Sequence, residues 1–330
     1  MKKIECTGCR FSADEHPRLS YLFFHCFIHP FPHGIIINYQ LKKLFSLILL
    51  LAMPAMLWAA SKAEPAGTDA DSVFVASVLT SDAVAASLST PGDVVVAVAR
   101  AFIGKPYVAG TLEVNAPDER LVVNTRQVDC TTFVDQVLAL SLTVLHGDTT
   151  YTAFCRNLSR LRYRDGKVQG YASRLHYFTD MVAANPSLLA DVVPDSAQAP
   201  LPERIVQLGF MSHHPDSYPA LKGHPEVVDS IRSIELCYQH YPVHYCPKET
   251  IASFTALREG DVVALMTTVE GLDVTHLGIA VRQPDGFHLL HASSAAGRVL
   301  VDPLPLQEML ASRKSCPGIR AVRLRMKNEK

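Results

Sequence analysis

Apolar residues follow a helical rhythm in one stretch above all. From Cys130 onward, Phe133, Val134, Val137, Leu138 and Leu145 recur at helical spacing, which predicts a largely buried helix that ends near His146-Gly147. A second helix is expected from Pro91 to Ile103. Thr90 is a suitable N-cap, Pro91 fits the first helical position, Asp93 puts a carboxylate in the first turn, and Gly104 closes the helix. Asp71 to Leu88 reads as a further helix. Towards the C-terminus the pattern changes to strands between short turns. Val262–Met266, His276–Val281, Phe287–His291, Arg298–Val301 and Ile319–Leu324 are the expected strands, and Glu259-Gly260-Asp261, Gly271-Leu272-Asp273 and Pro284-Asp285-Gly286 are turn signals among them. Helices first and strands later predict an α+β fold with an antiparallel sheet. Leu121–Asn124 reads as a short extended piece, and Lys105–Glu113 as a loop. The middle, about 150–250, is rich in Tyr, His and Pro, and reads as irregular.

One apolar run breaks this pattern. Lys42-Lys43 precedes an uncharged stretch from Leu44 to Trp58, followed by Ala59-Ala60-Ser61. A basic start, an apolar centre and a small-residue exit are the features of a secretory signal. The run is short for a spanning helix, which needs about 20 residues, and Pro54 weakens a helix there further. Residues 41–60 are therefore read as a signal peptide and 1–40 as an extension from a misassigned start. Residues 61–90 are read as linker and first helix, and 91–325 as one catalytic domain with an insertion at about 150–250. An exported protein of the periplasm or cell envelope is expected, with no stable membrane insertion once the signal is removed.

The 330 residues are 48% hydrophobic, enough for a sizeable core. With 31 basic and 32 acidic side chains the net charge is -1, so nothing draws the chain to nucleic acid at long range. Beyond the signal lie Cys130, Cys155, Cys237, Cys246 and Cys316. An odd number leaves at least one free thiol in an oxidising compartment. Cys237 and Cys246 are close enough along the chain to pair; a fully reduced set is the alternative.

Cys130 heads the buried helix with Asp129 as its N-cap. The positive end of a helix dipole favours a thiolate, although the Asp129 charge opposes it, and a buried structural Cys is an equal reading of this residue alone. His276 opens one strand and His291 closes the next. Side by side on antiparallel strands, one imidazole can orient the other, as a catalytic triad requires. A zinc site built from Cys130, His276 and His291 is a competing arrangement.

Taken together, Asp129-Cys130-Thr131-Thr132-Phe133-Val134, His276-Leu277-Gly278-Ile279, Leu290-His291-Ala292-Ser293 and Pro106-Tyr107-Val108-Ala109-Gly110 resemble the NlpC-type papain-like cell-wall hydrolases. Tyr107–Glu113, Leu121–Val134, Ser173–Phe178 and Phe210–Pro215 narrow the resemblance to the N-acetylmuramoyl-L-alanine amidase-like branch. Thr131-Thr132 replaces the Ser-Gly usual in the wider superfamily, and the Cys-to-His interval is long; both fit that branch. The resemblance implies a papain-like NlpC-type core with the nucleophile at a helix N-terminus packed on an antiparallel sheet. It also implies cleavage, through a thioester and without cofactor or metal, of the amide between the lactyl group of N-acetylmuramic acid and L-Ala. Peptidoglycan or its muropeptide fragments would be the partner. Cys130 would be the nucleophile, His276 the acid-base and His291 its orienter. Tyr107 would join the Cys130 N–H at the oxyanion, with Asp129 supporting. Arg174 and Lys248 are candidates to pair with substrate carboxylates, His176, Tyr177 and Ser212 to touch sugar or peptide, and Glu113 to bind a free amine; each also reads as structural. A stem-peptide endopeptidase and a non-catalytic wall-binding protein remain the alternatives.

Overall fold

The computed structural model describes residues 65–115, 118–194 and 200–325. The expected extension at 1–40 and signal at 41–60 lie outside the described residues. Along the chain run helices α1 (Asp69–Leu79), α2 (Asp82–Ala85), α3 (Pro91–Arg100), α4 (Cys130–Leu145) and α5 (Tyr151–Arg162). Next come α6 (Phe178–Ala184), strands β1 (Leu189–Asp191) and β2 (Glu203–Val206), α7 (Phe210–His213), α8 (Pro225–Leu236), β3 (Tyr241–His244) and β4 (Cys246–Pro247). The remainder is β5 (Val262–Met266), β6 (Val274–Gln283), β7 (Gly286–Ser293), β8 (Arg298–Val301), α9 (Leu306–Ala311) and β9 (Gly318–Leu324). Helices packed on an antiparallel sheet make this an α+β fold.

The main sheet runs β1-β9-β5-β6-β7-β8, with β4 also on β9, while β2 and β3 form a separate ribbon. Alternation sorts its side chains onto two faces. Val262, Ala264, Ile279, Val281, Leu290 and Val322 pack against α1, α3, α4 and α5. Val263, Leu265, Ala280, Leu289, Ile319 and Ala321 meet α9 together with Ile251 and Phe254. Both faces are thus dry, which explains the near-continuous apolar runs of β5 and β6.

Local capping sets where the helices start. The Thr90 hydroxyl accepts from the Asp93 N–H at 3.2 Å, and Thr68 and Asp71 form a reciprocal capping box at α1. At α4 the Asp129 carboxylate accepts from the Thr132 N–H at 2.8 Å, while the Asp129 N–H donates to the Thr132 hydroxyl at 2.9 Å. Gly147, at φ 69°, follows this helix, in the left-handed conformation that glycine adopts most readily.

Several expectations need correction. The helix expected over Asp71–Leu88 is broken at Thr80-Ser81; the Thr80 hydroxyl donates back to the Ala76 carbonyl at 2.9 Å, and Ser81 is the N-cap residue of α2. The α3 helix is regular only to Arg100; Ala101, Phe102 and Ile103 then make tighter bonds to the carbonyls of Val98, Ala99 and Arg100. The span 150–250 is ordered rather than irregular. Its α5 packs into the main core through Phe154, Leu158 and Leu161, and β1 is an edge strand of the main sheet. Only the α7–α8 region with β3 builds a core of its own, around Leu208, Met211, Ile231 and Val243. Cys246 is a free thiol, so the Cys237–Cys246 pair does not form. Among the described residues no helix is long and apolar enough to cross a membrane.

A buried ion pair ties α4 to α5. Arg162 Nε donates to Asp135 at 3.0 Å and its Nη1 to the Val122 carbonyl at 2.6 Å, with both side chains almost wholly buried. Removing one partner strands the other charge. Arg162→Ala is therefore expected to destabilise the protein by about 3–5 kcal/mol, whereas Arg162→Met combined with Asp135→Leu regains most of that loss. Urea unfolding midpoints measure both; an unchanged midpoint in the single variant would contradict the burial argument.

Candidate active site

Three segments converge on one cleft. The first is the N-terminal turn of α4, whose cap holds Cys130 at the helix tip. The second is the start of β6, where the register with β5 shifts between Leu265 and Met266; this irregularity lets Val274, Thr275, His276 and Leu277 all line the cleft. The third is the run from Tyr171 to Phe178, with Tyr218 and Met211 beyond. The cleft holds about 380 Å3 and is lined by Cys130, Glu113, His176, Tyr177, Asp273 and His276 among others.

Cys130 is a free, half-buried thiol. Burial pushes its pKa up and the Asp129 charge adds to the rise; hydrogen bonds from the Leu277 N–H, the Thr131 hydroxyl and the Thr131 N–H oppose it without winning. Burial and Asp129 thus work against the thiolate-favouring pull expected at a helix tip. Behind the cleft the two imidazoles meet. His276 Nε2 lies 2.6 Å from His291 Nδ1, with the rings nearly perpendicular at 89°. Burial pushes the His276 pKa down to about 3, helped by His291 and the Arg313 guanidinium. His291 is lowered by burial too, against a pull from Asp302. Burial thus favours the neutral form of the thiol and of both rings.

Tyr107 is fixed beside Cys130 by backbone bonds to both flanking segments. Its N–H donates to the Gly297 carbonyl at 2.9 Å, and the Val108 N–H to the Val128 carbonyl at 3.0 Å. Burial raises the Tyr107 pKa, and the adjacent Cys130 and Asp129 raise it further.

The other expected contacts divide. Glu113, His176 and Tyr177 line the cleft; Arg174, Ser212 and Lys248 do not. Arg174 is buried, and its guanidinium is taken up by Glu119 at 2.7 and 3.0 Å, Glu113 at 2.5 Å and the Leu112 carbonyl at 3.3 Å. In this arrangement it braces the Glu113 loop. Ser212 is buried, its N–H bonded to Glu235 at 3.1 Å. Lys248 donates to the Arg313 carbonyl at 3.3 Å. The Tyr177 hydroxyl donates to Glu235 at 2.6 Å, so this side chain offers the cleft mainly its ring. His176 Nε2 faces the Tyr171 carbonyl at 2.9 Å, and burial then Arg174 push its pKa down to about 3. Glu113 presents an Oε2 without a hydrogen-bond partner among the described residues.

No three His, Cys, Asp or Glu side chains among the described residues are grouped to hold a metal ion. The zinc arrangement considered above fails because His276 and His291 turn nitrogens on each other. Sequence reasoning missed Asp302, Asp273 and Arg313. Asp302 directly follows β8, the strand paired with β7, and that adjacency to His291 was the available signal.

The AmiA-like family pattern, described as N-acetylmuramoyl-L-alanine amidase-like, matches residues 97–319. The chain belongs to that family. A crystal structure of an N-acetylmuramoyl-L-alanine amidase from Bacteroides uniformis is 37% identical, with TM-score 0.66, over 72% of this chain and 99% of that one. A Bacteroides fragilis structure that carries a provisional xylanase name is 43% identical, with TM-score 0.64, over 68% and 99%. A Legionella pneumophila protein at 20% identity and TM-score 0.58, over 78% and 95%, shares the fold. No curated protein matches the chain. In this amidase-like chain Cys130, His276 and His291 all fall inside the matched span.

Three outcomes follow. With the thiol raised and no imidazolium beside it, alkylation of Cys130 by iodoacetamide should accelerate steadily from pH 6 to about 9, following thiolate formation. A rate already flat from pH 5 would instead reveal a thiolate–imidazolium pair. His276 and His176 bind protons in the unfolded chain near pH 6.5 but only near 3 when folded. Their contribution to stability is therefore complete above about pH 6.5 and is lost as the pH falls towards 3, which melting temperatures across that window measure. Gly278, two residues from His276, leaves room for β7: a Cβ there would sit 2.7 Å from the Leu289 side chain and 2.9 Å from the Leu290 carbonyl. Gly278→Ala should cost about 1–3 kcal/mol of stability through overpacking, read by denaturant unfolding.

Proposed function

We propose that this protein is a cysteine hydrolase that cleaves the amide bond between the lactyl group of N-acetylmuramic acid and L-Ala in peptidoglycan or its fragments. The observation that carries the reading is the shared cleft of Cys130 and His276, with His291 bonded behind. A sulfur at a helix tip against an antiparallel strand bearing a histidine is consistent with a papain-like NlpC-type core. Family membership and the Bacteroides uniformis relative's name supply the substrate class.

In this scheme His276 takes the Cys130 proton through Nδ1 as the sulfur attacks the amide carbonyl carbon. The tetrahedral oxyanion is met by the Cys130 N–H, with Tyr107 as second donor. His276 then passes the proton to the departing L-Ala nitrogen, the C–N bond breaks, and a thioester remains. Water, deprotonated by His276, attacks the thioester, frees the lactyl carboxylate and returns the thiol. No cofactor takes part. Tyr171, Tyr177 and Tyr218 offer ring faces for sugar or peptide, and about 380 Å3 suits a fragment of muropeptide size. The signal-like segment at 41–60 fits an exported enzyme of the periplasm or cell envelope, where such a substrate lies.

A glycosidase reading, suggested by the name of the Bacteroides fragilis relative, needs two free carboxyl groups across a sugar. Here Asp273 is held by the N–H groups of Thr179 at 2.6 Å and Val274 at 2.8 Å, and Glu113 is paired with Arg174.

Defined disaccharide–peptide muropeptides, incubated with wild type and Cys130→Ala and followed by product masses, test the proposal. Intact stem peptide released by wild type, with at least ~1,000-fold loss in the variant, is expected. Peptide remnants left on the sugar would indicate an endopeptidase, and equal inertness of both proteins would indicate a binding protein.

A further inference from the structure

Asp302 is the group that completes the histidine pair. It follows β8, which pairs with β7 so that Leu300 lies opposite His291. Its backbone is clamped: the Asp302 N–H donates to the Leu289 carbonyl at 2.8 Å, and His288 Nδ1 faces its carbonyl at 2.7 Å. One carboxylate oxygen, Oδ1, accepts from the Leu304 N–H at 3.0 Å. The other, Oδ2, lies 3.4 Å from His291 Nε2. That nitrogen is buried and makes no hydrogen bond among the described residues; the Asp302 carboxylate is the acceptor that faces it, at ion-pair distance.

We propose that Asp302 is a positioning residue that sets the tautomers of both histidines and so leaves the Nδ1 of His276 bare. The inference rests on the reading of His276 as the base that activates Cys130. A carboxylate accepts and does not donate, so His291 carries its proton on Nε2. A neutral imidazole then has a lone pair on Nδ1, and this atom faces His276 Nε2 at 2.6 Å. His276 must donate there, and its own Nδ1 keeps the lone pair that takes the thiol proton. When that proton arrives, His276 becomes an imidazolium with both nitrogens protonated, and the bond to His291 persists. Asp302 never touches substrate; it acts through His291. The contact is long at rest, and a positive charge on His276 would polarise His291 and draw it towards the carboxylate.

Leu304 makes the test sharp. In Asp302→Asn its N–H still claims the side-chain oxygen, which turns the NH2 towards His291 Nε2. A donor there forces the proton of His291 onto Nδ1, which forces His276 to accept at Nε2 and to carry its proton on Nδ1, the wrong side for a base. The test uses the full chain with 15N-labelled histidine. Long-range 1H–15N correlation spectra of wild type should show His291 and His276 both protonated on Nε2. In Asp302→Asn both should move to Nδ1, and kcat on a defined muropeptide should fall by ~100-fold or more with KM nearly unchanged, as expected when only the base is mis-set. A wild-type His276 protonated on Nδ1, or a folded Asp302→Asn that keeps both wild-type tautomers and wild-type kcat, overturns the proposal. Should the variant fail to fold, the wild-type spectrum decides alone. Should wild type prove inert on every muropeptide, the proposed reaction fails, and the spectra still test the tautomers independently.

Discussion

The first turn of α4 rests on the start of β6, and the rest of the site depends on that contact. It brings the Cys130 sulfur to the Leu277 N–H and places His276, the next residue back along the strand, on the same cleft wall as the thiol. The contact is held from both sides. Asp129 and Thr132 fix the helix start by reciprocal caps, while Val134, Val137 and Leu138 pack in the core that includes Leu277 and Ile279. A helix tip so anchored cannot tilt without opening the dry core beneath it.

Burial shapes the chemistry as much as position does. Both groups that would react are desolvated, and desolvation disfavours charge on either one. It works in opposite directions on the two pKa values, raising the thiol and lowering His276. Burial of this kind favours the neutral form of both groups. The polar groups packed around the cleft are mostly committed elsewhere: Arg174 to Glu113 and Glu119, Tyr177 to Glu235, Asp273 to two backbone N–H groups. The walls are thereby stiff, and their ring faces are left to meet a ligand.

Much of the fold was legible along the chain. The α4 helix, its cap and its end, the Thr90 cap of α3, and the strands from Val262 onward all appear close to where spacing and turn residues put them. The role of Arg174 was left open between a substrate contact and a structural one, because its partners Glu113 and Glu119 lie more than 50 residues earlier along the chain and only the fold brings them to it. The span after residue 150 was misread, since α5 interleaves Arg and Asn with its apolar face and α8 has only a few buried positions.

The sequence by itself determined what acts over a few residues: which side chain caps which helix, where the hydrophobic period turns from helical to alternating, and that a sulfur heads a buried helix. These effects are local, set by backbone geometry and nearest neighbours. Only the tertiary structure decided which nitrogen of His276 meets His291, that Asp302 stands behind them, and that burial pushes the thiol pKa up. Those outcomes depend on strand register and on how much water is excluded when distant segments close together, and neither quantity is written in any single stretch of chain.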